Sequence, residues 1–214
     1  MSSTATQSRN LVPASDDTIK TLTLRLEGQA PLMMHAPTLI DPLHPLTREM
    51  ALATSKTASK RTIADIEHMA RVEWEAGIYH SDELGPFIPS VNVKKSIVKA
   101  AGLTKDGASV TRGVTFADTK LPLLYDGPRD RDGLYDAGFK DTRPVRNGGM
   151  GGGRVPRTRP CFDEWALEAI IYVDPHEIGL EDLGRVVGVA QRFGVGDYRP
   201  EFGLFRATLT EEQS

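Results

Sequence analysis

Leu22, Leu24 and Leu26 alternate with Thr23 and Arg25 across residues 19–27, the period of two that marks a half-buried strand. Gly28 ends it. The alternation returns at 165–173, where Trp165, Leu167, Ala169, Ile171 and Val173 share one face, and a last strand is predicted at 202–209. Between these runs the apolar spacing becomes helical. Ile63, Ile66, Ala70 and Trp74 predict a helix over 57–76, with Gly77 just past its end. Val93, Ile97 and Ala101 predict a second over 91–101, with the Ser90 hydroxyl as N-cap and Gly102 as the stop. Leu180, Leu183, Val187 and Ala190 predict a third over 180–193, closed by Gly194. Its Gly184 and Gly188 predict close packing against a sheet. Residues 109–116 and 121–125 read as strands joined by a turn at Asp118-Thr119.

The connecting segments are long. Pro31, Pro37, Pro42 and Pro45 forbid a continuous helix after the first strand, and Leu32, Met33 and Met34 are expected to anchor that loop to the core. Residues 126–141 read as loop. Without these insertions the order is β-α-β-β-α-β, an α+β, ferredoxin-like (RRM-like) fold whose open sheet face is a frequent site for single-stranded RNA or DNA. The expected organisation is one domain over 18–210 with insertions at about 28–86 and 121–160, a disordered lead-in at 1–17 and a short tail at 211–214.

Charge changes the picture. The formal net charge is −3, which argues against a wholesale nucleic-acid binder, but it is unevenly spread. Residues 94–112 carry Lys94, Lys95, Lys99, Lys105 and Arg112 for a net of +4, and residues 140–159 a net of +5, leaving −12 on the remainder. The second stretch holds Arg143, Arg146, Arg154, Arg157 and Arg159 around a glycine-rich centre. Guanidinium forks and closely approaching backbone N–H groups suit a polyanion. A mobile surface loop kept soluble by its arginines has the same composition. The turn that opens the 91–101 helix could hold a phosphate, though lysines on such a face are also commonly just solvated. No run of 18 apolar residues occurs, so no membrane helix is expected, and the polar start is no secretory signal. Cys161, the single cysteine, excludes an internal disulfide and a cysteine-based zinc site and fits a reducing cytoplasm.

Most catalytic signatures are absent: there is no G-x-S-x-G, H-E-x-x-H or G-x-x-x-x-G-K-[ST]. The glycine run lacks the following helix and acidic residue of a dinucleotide fingerprint, and the acidic cluster at 126–133 does not keep EF-hand spacing. His68, His80 and His176 are expected on the surface. His35, Asp41 and His44 share one loop, where a histidine could act as base or acid and Asp41 could hold Mg²⁺. Pro42 beside Asp41 equally suits a carboxylate that caps a turn.

Three segments taken in order, L-R-L-E-G-Q-A-P-L-M-M-H at 24–35, F-I-P-S-V-N-V-K-K-S-I-V-K at 87–99 and G-V-G-D-Y-R-P-E-F-G-L-F at 194–205, resemble the RAMP superfamily, which includes backbone subunits and RNA-processing endonucleases of CRISPR effector complexes. The chain departs from that family's Y-I-P-G-S-S-x-K-G motif at Ser90, Val91 and Ser96, and its C-terminal loop has fewer glycines. The F-I-P and G-D-Y-R-P-x-F-G-x-F wording is also similar to small uncharacterised phage and prophage proteins. The RAMP resemblance implies a non-catalytic protein that binds single-stranded RNA or DNA in the cytoplasm of a bacterium or phage-infected host and self-associates along the strand. It implies phosphate contacts from Lys94, Lys95, Lys99 and Arg112, and a finger-like insertion carrying Arg143, Arg146, Arg154, Arg157 and Arg159. Tyr198, Arg199 and Phe202 would form a stacking surface, although Phe202 and Phe205 also suit core positions. No cofactor is implied. Because some members cut RNA with an aspartate after the first strand, a Mg²⁺-dependent endoribonuclease using Asp41, with His35 nearby, is the alternative. A phage structural or assembly protein is another.

Overall fold

Three leucines of the first strand set the inner face from which the chain is built outward. The computed structural model describes residues 19–146 and 153–211. The predicted lead-in, the centre of the glycine-rich loop at 147–152 and the end of the tail lie outside the described residues, as does the side chain of Arg146. The chain runs through β1 (Lys20–Gly28), β2 (Leu32–Met33), α1 (Pro45–Thr54), α2 (Ile63–Gly77), β3 (His80–Ser81) and β4 (Gly85–Pro89). It continues with α3 (Ser90–Ala101), α4 (Gly107–Gly113), β5 (Val114–Phe116), β6 (Lys120–Pro122), α5 (Arg131–Asp136) and β7 (Lys140–Arg146). It closes with β8 (Arg154–Phe162), β9 (Ala166–Val173), α6 (Leu180–Ala190) and β10 (Phe205–Glu211).

The fold is α+β. Its main sheet has the order β10-β1-β9-β5, and every neighbouring pair is antiparallel. Leu22, Leu24 and Leu26 of β1 and Leu167, Ala169, Ile171 and Val173 of β9 point to one face, where α3 and α6 pack side by side and supply Val93, Ile97, Leu183 and Val187. The opposite face carries Arg25, paired with Glu27 at 2.9 Å and Glu168 at 3.4 Å, and exposed Tyr172. Carboxylates there make that face a poor track for a polyanion.

Several expectations need correction. Residues 107–113 form α4 rather than strand, because burial of Val110 and Gly113 beside α3 overrides the β-propensity of Val and Thr. Pro45 opens α1 instead of breaking it, since a proline in the first helical turn has no N–H to lose, and the His44 ring caps the Leu46 N–H at 3.2 Å. Asp130 caps α5 within the supposed loop. Ser90 is the first residue of α3 rather than its cap, and no side chain caps that helix. Gly184 has open space beside it, so close packing is not its role. Among the described residues, no helix is long and apolar enough to cross a membrane.

β7 and β8 form a hairpin, Lys140↔Pro160 through Arg146↔Arg154, and the far end of β8 pairs with β2 at Leu32↔Phe162 and Met33↔Cys161. α2 braces it. Thr158 is buried, and its backbone N–H and the Arg157 guanidinium both donate to the Glu73 carboxylate at 2.8 Å. The hairpin is therefore a fixed arm rising from the strand next to the C-terminal loop.

Candidate nucleic-acid interface

The loop at 194–203 is pinned to β2 backbone to backbone. Asp197 N–H donates to the Met33 carbonyl at 2.8 Å, and Gly203 N–H donates to the Pro31 carbonyl at 2.7 Å. Gly196, at φ +80°, lies so close to Leu32 and Met33 that a Cβ would meet Leu32 Cδ1 at 2.8 Å. Tyr198 is held at φ +57°, a conformation that costs an L-residue about 1–3 kcal/mol and recurs at ligand sites. The strain holds Tyr198 half-buried against Phe202, ring centroids 6.1 Å apart.

One flank of this loop faces the start of α3. His35, Tyr79, Asn92, Lys95, Gly196, Asp197 and Arg199 surround a cavity of about 170 Å³. Burial, then the Arg159 charge, hold the His35 imidazole below its usual pKa, against the opposing pull of Asp197 at 3.7 Å. The other flank faces the hairpin, where Arg143, Arg154 and Tyr198 line a larger, open cavity of about 640 Å³. Arg159 joins the flanks: it pairs with Asp197 and lies over the Tyr198 ring, 5.9 Å from its centroid.

The predicted residues divide accordingly. Lys95, Arg143, Arg154, Arg159, Tyr198, Arg199 and His35 are brought together around one loop. Lys99 lies further along α3, its ammonium 5.1 Å from the Phe193 ring centroid. Arg157 is neutralised by Glu73 and Arg159 by Asp197, so both act first as braces. Arg143 pairs with Asp141 at 2.9 Å and covers Phe202 at 4.6 Å. These carboxylates relieve the direct opposition of Arg143 and Arg157 across the hairpin, an unfavourable pairing of like charges.

Lys94 and Arg112 do not join. The Lys94 ammonium donates to the Val114 carbonyl at 2.7 Å and the Thr111 carbonyl at 3.0 Å, tying α3 to the end of α4. Arg112 clasps Glu177 through two nitrogens at 2.7–3.0 Å. The register Val114↔Val173↔Lys20 puts it at the opposite end of β1 from Gly28, about 26 Å away at some 3.3 Å per residue. Phe202 and Phe205 are both buried, which leaves stacking to Tyr198. Asp41 is exposed and accepts the Leu43 N–H at 2.9 Å, a turn cap, and it lines a different cavity from His35. Among the described residues no cluster of three His, Cys, Asp or Glu could hold a metal. His80 is only partly exposed, contrary to expectation. Burial pushes the Cys161 thiol up to about 12, which leaves it protonated. Tyr79, Asn92 and Asp197 were not singled out from sequence; only Asp197 carried a signal, as the carboxylate inside the G-V-G-D-Y-R-P loop.

No family model matches the chain, and no curated protein matches it. Among solved structures it is similar to a chain of a Type III-B Cmr-beta assembly bound to cognate target RNA, at 10% identity and a TM-score of 0.52. The match covers 92% of this chain and 62% of that one, so this chain spans less than two thirds of its neighbour's length. Cmr6 from Pyrococcus furiosus is matched at 12% identity with a TM-score of 0.34, over 91% of this chain and 99% of that one. The first likeness is one of fold; the second is too distant to support an argument.

Proposed function

We propose that this chain is a non-catalytic, RAMP-like protein that binds single-stranded RNA or DNA across the loop at 194–203, and that copies can lie side by side along a strand. The core carries the reading of a ferredoxin-like domain over 18–210. Its strands β1, β5, β9 and β10 alternate with α3 and α6 as β-α-β-β-α-β, and the sheet runs fourth-first-third-second. The observation that carries the function is the placement of Tyr198 between two cationic flanks: Lys95 and Arg199 on one side, Arg143 and Arg154 on the other. A strand crossing there meets phosphate ligands on both sides of one aromatic ring. That pattern suits single strands, whose bases can stack at about 1–3 kcal/mol each. The RNA-bound state of the Cmr-beta neighbour supports RNA as the first strand to test.

Fluorescence anisotropy with labelled single-stranded and duplex RNA and DNA tests the reading. Single strands should bind more tightly than duplexes, with affinity falling steeply as salt rises. Equal or absent binding across all four overturns it.

His35 supplies a second expected outcome. Its imidazole is held neutral in the free protein, and a phosphate beside Lys95 and Arg199 would raise its proton affinity. Binding should therefore take up about one proton and tighten as pH falls through roughly 6.5, levelling off below the depressed free value. His35→Gln should flatten this pH profile. An unchanged profile in the variant would place the phosphate elsewhere.

A further inference from the structure

Tyr79 lines two cavities. One is the cationic cavity beside Lys95 and Arg199; the other, of about 400 Å³, lies between the turn that follows β2 and the β3–β4 segment. The size of the second falls in the range of small-ligand sites. Phe87 and Tyr79 contribute aromatic walls, their ring centroids 6.0 Å apart. His80 contributes an atom without a partner. Its Nε2 donates to the Arg129 carbonyl at 2.8 Å, which makes Nδ1 of the neutral ring an acceptor, and that Nδ1 is buried with no hydrogen-bond partner among the described residues. Such an orphan in a native fold calls for an explanation, and a ligand donor is one. Asp41 and Glu75 also line the space against the single cation Arg131, so the lining is net acidic and repels phosphate while accepting N–H groups.

We propose, resting on the single-strand reading above, that this cavity is a base-accepting subsite. With a phosphate held by Lys95 and Arg199, the adjoining nucleotide turns its base past Tyr79, stacks it against the aromatic wall and donates an exocyclic amine to His80 Nδ1. Adenine and cytosine carry that amine. Uracil, whose pairing edge holds two acceptors and one donor, fits worse. The subsite gives the track base selectivity that its phosphate contacts cannot supply.

The test is anisotropy on labelled oligo(rA), oligo(rC) and oligo(rU) of about twelve nucleotides, near the footprint of single-strand sites. Replacement H80L should weaken oligo(rA) and oligo(rC) by about fivefold, the worth of one buried hydrogen bond, and leave oligo(rU) nearly unchanged. Should H80L fail to fold, Thr38→Trp, which fills the cavity from its rim, should give the same pattern. Equal changes on all three oligomers, or none, overturn the subsite while the single-strand reading stands. If no oligomer binds the unaltered protein, both fall. Free adenosine monophosphate separates a tethered base from a mononucleotide, since tethering supplies an effective concentration of about a millimolar. Displacement of oligo(rA) by micromolar nucleotide overturns the strand as the source.

Discussion

Gly203→Ala should lower the unfolding free energy by about 2–5 kcal/mol, the combined cost of a left-handed L-residue and an overpacked contact. Gly203 sits at φ +70° with its carbonyl accepting the Val195 N–H at 2.9 Å. A Cβ there would overlap the Val195 carbonyl oxygen and stand 2.9 Å from its carbon, where the neighbour is backbone and cannot turn aside. The damage falls on the segment that presents Asp197, Tyr198 and Arg199, so strand binding should fail with it. Gly184→Ala is the contrast: it lies within α6 with nothing within 4 Å of an added Cβ, and should raise stability by about 0.5–1 kcal/mol through helix propensity. Urea unfolding at matched slope reads both. Equal midpoints for Gly203→Ala and the parent would mean that the loop is not pinned as described.

The glycines also mark what was legible before the fold was known. Period-two leucines in β1 and the alternation in β9 placed the two central strands within a residue or so, because one buried face leaves no other register. The apolar stripes of α3 and α6 were equally clear. The helices α1, α4 and α5 were not. Each is short and derives its stability from tertiary packing and caps such as Asp130, not from a long amphipathic period. The basic patches were visible as counts, but a count does not reveal pairing. Lys94 is spent on two carbonyls, Arg112 on Glu177 and Arg157 on Glu73, the last a partner 84 residues away. The aromatic cavity beside Tyr79 could not be read from sequence, since its walls come from four separate segments.

Charge placement, not net charge, is the quantity to test next. Replacing Lys95, Arg143, Arg154 and Arg199 together by glutamine should weaken single-strand binding by roughly two orders of magnitude and flatten its dependence on log salt by about 3, at about 0.7 per lost phosphate contact. A matched control removes the same formal charge elsewhere. Lys20, Arg25, Arg112 and Arg185 are surface cations that face Glu211, Glu27, Glu177 and Asp182 at 2.5–3.0 Å. Their replacement by glutamine should cost much less affinity and leave the salt slope nearly intact, because cations already paired release few counterions. Exposed pairs of this kind contribute about 0–1 kcal/mol each to stability, so the control should remain folded. If both quadruple variants lose affinity in parallel, long-range attraction to the whole molecule explains binding, and the two flanks of Tyr198 lose their special role. If only the first loses it, the strand runs where the loop, the α3 N-terminus and the hairpin meet.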